Sequence, residues 1–172
     1  VIQSFNLWEG QREFIAEAFK DGENQFKDGN FSRSDTQLCL EVVDLDLYKT
    51  LNGFVKKAFE QYTSVYSGIL QNNDPVSTWT TKVQKTKAGG GYHQWHCENG
   101  QFLYRDRVLA WMVYLNTVPS QSGGGTDFLH QKLTLQPEAG TIVLWPASYT
   151  HVHRGGFLTG NVDKYIATGW FI

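Results

Sequence analysis

The periods along this 172-residue chain predict an α+β domain: an antiparallel sandwich or jelly roll buttressed by N-terminal helices. Three observations carry that reading. Apolar positions in residues 1–70 follow helical spacing, residues 76–172 switch to short apolar runs punctuated by glycine, and no strand–helix–strand alternation appears, which argues against a parallel nucleotide-binding sheet. Composition agrees, because 15% aromatic residues and 17 Gly against 4 Pro suit many short strands and tight turns. The length holds one core and is short for two. Residues 1–172 are therefore read as a single domain, with a helical part at about 1–70 and a jelly-roll core at about 76–172.

The elements follow in order. Phe14, Ile15, Ala18 and Phe19, after Glu9-Gly10, predict a first helix. Asp21 to Gln37 is polar and contains glycine, and is expected to be a surface loop. Leu47, Leu51, Phe54, Val55, Ala58, Phe59, Tyr62 and Val65 form one broad stripe and predict a helix from about Leu45 to Gly68. Val76 to Gln84 is strand-like, and Gly89-Gly90-Gly91 turns the chain into a further strand, Tyr92 to Cys97. Val108 to Asn116 is a long apolar strand, Ser120 to Thr126 a glycine-rich loop, and Leu133–Leu135, Thr141–Trp145 and Tyr165–Ile172 are the remaining strands.

Several function classes drop out. A net charge of −2 offers no basic field for a nucleic-acid backbone. No apolar run reaches the roughly 20 residues of a membrane span. Glu9, Arg12, Glu13 and Glu17 interrupt what a secretory leader would keep apolar. Cys39 and Cys97 make neither a disulfide framework nor a zinc-ribbon pattern, so a reduced, cytoplasmic setting is expected.

His96-Cys97-Glu98 is the focus of the chemistry. Residues i and i+2 of a strand face the same way, so His96 and Glu98 would sit side by side with Tyr92 and Gln94, and Trp95 and Cys97 would point opposite, Cys97 as a packing thiol. His151 and His153 repeat the i, i+2 spacing, and one of them would close a set of two imidazoles and one carboxylate. Such a set holds Fe(II) on one octahedral face and leaves positions open, whereas three imidazoles or a thiolate would suit zinc better. Counting five residues from Pro146 favours His151; the His153-Arg154-Gly155 context and the eleven-residue interval to Lys164 favour His153. His93 and His130 have no partner pattern and read as surface or strand-edge residues. Gly123-Gly124-Gly125 reads as a turn, since no helix start follows it.

The succession of motifs is more specific than the triad. Gly90-Gly91-Tyr92 and His96-Cys97-Glu98 are followed by Arg107 to Asn116 (RVLAWMVYLN), Gly123 to Phe128 (GGGTDF), Pro137 to Trp145 (PEAGTIVLW), His153-Arg154-Gly155 and Lys164 to Trp170 (KYIATGW). Over about residues 76–172 this resembles the catalytic domain of Fe(II)/2-oxoglutarate-dependent dioxygenases, in the prolyl 4-hydroxylase-like branch. The resemblance implies a double-stranded β-helix (a cupin-like jelly roll) with supporting helices, and Fe(II), 2-oxoglutarate and O2 as the reacting set. It implies His96, Glu98 and His153 as iron ligands and catalytic centre. Lys164 would hold the distal carboxylate of 2-oxoglutarate, helped by Tyr114, with Trp170 beside it. Tyr92, Arg154 and His151 are candidates for substrate contact, although Arg154 also reads as a solvated rim charge. The residues agree on Lys164: it shares a strand face with Ile166, Thr168 and Trp170, and a lysine inside an apolar barrel needs an anion. Glu98 departs from the usual aspartate of the family, and keeps its charge with one more methylene.

The implied activity is hydroxylation of a C–H bond, of a prolyl or other peptidyl residue by branch, with decarboxylation of 2-oxoglutarate to succinate. Hydroxylation of a free amino acid or small metabolite is the alternative. A cupin-like metal protein not using 2-oxoglutarate, or a non-catalytic sandwich binding carbohydrate or peptide through its tryptophans, are the competing classes. The expected partner is a peptide, protein or small-molecule substrate, with no nucleic acid and no membrane; the sequence leaves the oligomeric state open.

Overall fold

In the large apolar strand predicted around Val108, every residue from Leu109 to Tyr114 is buried, and its alternation explains the fold. Leu109, Trp111 and Val113 belong to one hydrophobic cluster, while Ala110, Met112 and Tyr114 belong to another on the opposite face. The strand therefore lies inside a sheet that is covered on both sides.

The computed structural model describes residues 2–4, 20–25, 31–71, 76–100 and 104–172. In chain order the elements are β1 (Ile2–Ser4), β2 (Lys20–Gln25), β3 (Phe31–Cys39), a one-turn helix α1 (Leu40–Val43), the long helix α2 (Leu45–Val65), β4 (Thr78–Thr86), β5 (Gly91–Tyr92), β6 (Leu109–Tyr114), β7 (Thr126–Phe128), β8 (Leu133–Leu135), β9 (Thr141–Pro146), β10 (His153–Gly155) and β11 (Lys164–Phe171). The larger sheet runs β1-β9-β6-β11-β4-β3-β2, with β5 on β3, and the smaller is β10-β7-β8. The pairings between described strands are antiparallel. This is the predicted jelly roll, a curled sheet facing a smaller one.

Helix α2 closes the outer face. Asp44 caps it, its Oδ1 accepting from the amides of Asp46 (3.1 Å) and Leu47 (2.9 Å). Leu47, Leu51, Val55, Ala58 and Tyr62 are buried at helical spacing and pack with Trp111, Val113, Ile142, Leu144 and Ala167 of the sheet. Phe59 stacks on Phe171 with ring centroids 4.3 Å apart. The helix ends at Val65, three residues short of the expected Gly68, and a 3-10 turn, Ser67–Leu70, follows.

A bulge sets the end of β11. The β4–β11 register shifts between Gly169 and Trp170, skipping Thr80, which has φ of +51°. A side chain at Gly169 would lie 2.3 Å from the Thr80 carbonyl oxygen and 2.6 Å from the Trp111 ring, so only glycine fits there. Glu41 of α1 holds the bulge from outside: Thr80 Oγ1 donates to its Oε1 (2.8 Å) and the Thr81 amide to its Oε2 (3.2 Å).

Three expectations need correction. Within the expected loop Asp21 to Gln37, the described residues 21–25 and 31–37 are strand, paired as β2 and β3, which extend the large sheet. On β3, Arg33 and Asp35 are polar and line a cavity, so polarity there marks a site rather than a loop. The strand expected over Tyr92 to Cys97 stops at Tyr92; beyond it His96 makes one isolated bridge with His153, each amide bonding the other's carbonyl at 3.0 and 2.9 Å. His151 lies in a 3-10 turn, Tyr149–His151, and does not share a strand face with His153. The first predicted helix, around Phe14 to Phe19, lies outside the described residues.

Candidate active site

The inner faces of the two sheets enclose a cavity of about 690 Å³. At one end His96, Glu98 and His153 bring one ligand atom each to within 4.8 Å of one another. Glu98 Oε1 lies 3.2 Å from His153 Nε2 and 3.6 Å from His96 Nε2. The backbone fixes the ring orientation. His96 Nδ1 lies 2.8 Å from the Gln94 carbonyl oxygen and His153 Nδ1 lies 2.9 Å from that of His151. A carbonyl only accepts, so each Nδ1 carries a proton and each ring turns its Nε2 to the shared point. Two imidazole nitrogens facing a carboxylate are satisfied either by a proton on Nε2, which makes His153 a donor to Glu98 Oε1 at 3.2 Å, or by a cation held among the three. The donor set, two imidazoles and one carboxylate, fits Fe(II).

The far oxygen of Glu98 is held separately. Trp170 Nε1 donates to Oε2 at 2.9 Å, and Arg107 Nη1 donates to the same atom at 3.2 Å. The Arg107 guanidinium stacks 3.6 Å from the Trp170 ring centroid and 4.0 Å from that of Tyr104. These contacts occupy Oε2 and leave Oε1 aimed at the imidazoles, which accommodates the extra methylene of Glu98. Burial pushes the Glu98 carboxyl up, but the His153 and His96 imidazoles beside it outweigh this and hold it below the ordinary carboxylate range.

The other end is cationic. Lys164 is 5% exposed and donates from Nζ to the Gly124 carbonyl at 2.7 Å, with no carboxylate in ion-pair distance among the described residues. Burial pulls its pKa down to about 8, against the more distant Asp35 and Asp127. Gly124 has φ of +71°, and a side chain there would meet Leu158 Cδ1 at 2.8 Å, so the turn that aims this carbonyl at Lys164 depends on glycine. Ile166, Thr168 and Trp170 carry the same strand face from Lys164 to Glu98, and all three line the cavity. A buried ammonium whose one close partner is a carbonyl fits the distal carboxylate of a dicarboxylic acid.

The other candidates fall in different places. Tyr92 lines the cavity and stacks on His96 at 3.9 Å. Tyr114 is fully buried behind the wall: its hydroxyl donates to Thr126 Oγ1 at 2.8 Å, with the Leu135 carbonyl a second acceptor at 3.2 Å, and Thr126 is what meets the cavity. Arg154 lines the cavity, paired with Asp127 at 3.1 Å and stacked on Trp95 at 4.4 Å. His151 faces Thr150 Oγ1 at 3.0 Å and contributes only its carbonyl, to His153. His130 is exposed, whereas His93 is half-buried, within 3.0 Å of the Gly155 carbonyl oxygen and stacked on Phe157. Cys97 is half-buried and lines the cavity instead of packing behind it, because the chain has left the strand there.

Sequence reading assigned no role to Arg107, Thr126, Lys82 or the β3 pair Arg33 and Asp35, all of which line the cavity. β3 gave little signal, since both of its faces are polar in this stretch, Arg33, Asp35 and Gln37 on one and Ser34 and Thr36 on the other. Arg107 carried none: Tyr104 is three residues away, but Glu98 Oε2 and the Trp79 and Trp170 rings that complete its surroundings are brought to it only by the fold.

The sequence profile described as the 2OG-Fe(II) oxygenase superfamily matches residues 81–172. A search of curated protein sequences gave no significant match. Among solved structures the chain is similar to a viral collagen prolyl hydroxylase from Paramecium bursaria Chlorella virus-1 in a 2OG complex (20% identity, 99% of this chain and 94% of that one, TM-score 0.63). It is also similar to a prolyl hydroxylase from Trichoplax adhaerens in complex with a hypoxia inducible factor peptide fragment (17%, 100% and 82%, TM-score 0.73). A third is a prolyl-4-hydroxylase from Pseudomonas putida (18%, 99% and 90%, TM-score 0.67). At these identities the structural likeness is one of fold, the double-stranded β-helix. The profile covers more than half of the chain, and takes in a donor set fit for Fe(II) and a buried lysine fit for a dicarboxylate: the chain belongs to the 2OG-Fe(II) oxygenase superfamily and is a 2-oxoglutarate-dependent dioxygenase.

Proposed function

We propose that the protein hydroxylates a C–H bond of a prolyl or other peptidyl residue and couples this to decarboxylation of 2-oxoglutarate to succinate. The observation that carries the reading is one cavity with a two-imidazole, one-carboxylate cluster at one end and the buried, carboxylate-free Lys164 at the other. His96, Glu98 and His153 would hold the metal, and Fe(II) supplies the activation of O2 at the expense of the 2-oxo acid. Lys164 would bind the distal carboxylate, and the Tyr114–Thr126 hydrogen bond stiffens the wall beside it. Trp170 and Arg107 keep Glu98 in one orientation through Oε2. Tyr92 and the Arg154–Trp95 stack flank the metal cluster, where a substrate C–H bond would have to lie.

The test has two steps. Anaerobic Fe(II) and 2-oxoglutarate are added and the weak metal-to-ligand charge-transfer band is sought; a folded protein without it overturns the assignment of the site. Prolyl peptides, other peptides and free amino acids are then screened for stimulation of succinate release in air. Stimulation by prolyl peptides is the expected result. Stimulation confined to free amino acids or other small metabolites replaces the peptidyl reading with the small-molecule one.

A further inference from the structure

The charges around the cavity do not close. Among the described residues, three cations on its wall are paired with carboxylates: Arg33 with Asp35 at 2.7 Å, Arg107 with Glu98 at 3.2 Å and Arg154 with Asp127 at 3.1 Å. Two are not, Lys164 and Lys82. The co-substrate's distal carboxylate accounts for Lys164. Nothing accounts for Lys82, which is half-buried on the inward face of β4 and has, among the described residues, only a cation–π contact, its Nζ 5.4 Å from the Trp170 ring centroid. The groups acting on it are mainly unfavourable: burial and the Arg33 and Arg107 guanidiniums lower its pKa, while Cys39 and Asp35 raise it.

Its place in the sheet fixes which ligand it can reach. In the β4–β11 register Lys82 sits beside Thr168, whereas Lys164 sits beside Thr86. Four residues of strand separate the two, about 13 Å. Lys82 Nζ lies over Trp170, whose indole bonds Glu98, whereas Lys164 Nζ is turned to the Gly124 carbonyl, so the two ammonium groups face different ends of the cavity and call for different anions. The metal-bound end of the co-substrate cannot serve Lys82. Fe(II) brings two positive charges to that end and the proximal carboxylate of 2-oxoglutarate only one negative, so loading the site leaves Lys82 with more positive charge near it, not less.

We infer that Lys82 forms a second anion subsite, which binds a carboxylate of the substrate at the metal end of the cavity. The inference rests on the oxygenase reading above and adds the substrate class: a molecule with an anionic group close to the bond to be hydroxylated. The carboxylate can come from an Asp or Glu side chain next to the target residue of a peptide, or from the α-carboxylate of a free amino acid. In either case the anion gains a charge-assisted hydrogen bond in a partly desolvated site.

Two matched pairs of probes separate these sources: acetylated prolyl peptides with Glu or Gln beside proline, and L-proline or L-prolinamide. Binding to protein loaded with Mn(II) and 2-oxoglutarate is followed by tryptophan fluorescence, with Trp170 as the nearby reporter. The charged member of one pair should bind about tenfold or more tightly than its neutral partner, as a charge-assisted hydrogen bond provides. In Lys82→Gln that ratio should fall to near one, and in Lys82→Arg it should persist. Lys82→Met, which keeps the aliphatic stem over Trp170, repeats the loss on a second background should Lys82→Gln fold poorly. Wild-type protein without a carboxylate preference in either pair, or neutralised variants that retain it, overturn the inference. Failure of the oxygenase reading shows separately, as wild-type protein that takes up neither Mn(II) nor 2-oxoglutarate whatever its charge preference.

Discussion

The large sheet has two faces made by the same strands, and they obey different rules. Outward from β6, β9 and β11 point Trp111, Val113, Ile142, Leu144, Ala167 and Phe171, all apolar, all against α2. Inward from β4 and β11 point Lys82, Gln84, Thr86, Lys164 and Thr168, which no hydrophobic core would choose. A buried lysine and a buried carboxylate are both costly. The inner face therefore lowers stability for the sake of the cavity, and the outer face offsets it.

The sharpest way to break the comparison is at Glu98. Glu98→Ala removes the one carboxylate of the cluster and the partner of Arg107 and Trp170. Succinate formation should fall below detection and Mn(II) binding, measured by calorimetry, should be lost. Turnover near the wild-type rate would show that the cluster is not the metal centre. On the outer face the expectation reverses. Leu51→Ala opens a cavity between α2 and the sheet where Leu51 is 2% exposed. It should cost about 3 kcal/mol in urea unfolding, while the Mn(II) affinity of the folded fraction stays at the wild-type value. A large loss of affinity from Leu51→Ala would mean that the two faces are not separable.

The same division explains what the sequence made legible. The outer face repeats apolar residues at regular periods, so α2 and β6 could be read within a few residues of their ends. The inner face is apolar on β6 and β9, where Ala110, Met112, Tyr114, Val143 and Trp145 cluster, but polar on β3, β4 and part of β11, and there periodicity misleads: Arg33 and Asp35 looked like loop because strand rules assume a dry interior. His96 and Glu98 were found through their i, i+2 spacing, although the chain there is not a strand. What brings them together is the bridge to His153, 57 residues later. His151 and His153 are separated by the end of a 3-10 turn that no period announces, which sets the His151 ring against Thr150 and the His153 ring against Glu98. Arg107 was invisible because its partner Trp170 is reached only through the β6–β11 pairing and the bulge at Gly169.

Lys164 gives the most diagnostic effect, a pH dependence, since a buried ammonium is the least comfortable group of the inner face. Burial depresses its pKa to about 8 in the folded protein, from about 10.4 in an unfolded chain. The unfolded state therefore binds more protons between these values, and stability rises with pH across that window. Below pH 8 the full penalty for the buried ammonium is present, about 3 kcal/mol; above 10.4 it is gone. Without 2-oxoglutarate, the thermal midpoint of wild-type protein relative to Lys164→Met should increase from pH 7.5 to pH 9.5. Bound dicarboxylate stabilises the charged form, so with Mn(II) and saturating 2-oxoglutarate that increase should vanish or reverse. By the same linkage, 2-oxoglutarate affinity should weaken by up to about tenfold per pH unit above 8. Lys164→Met should bind it weakly with little dependence on pH over that window. An identical pH profile in both proteins would mean that Lys164 is not the anchor, and would leave the cationic end of the cavity as a packing accident of β11.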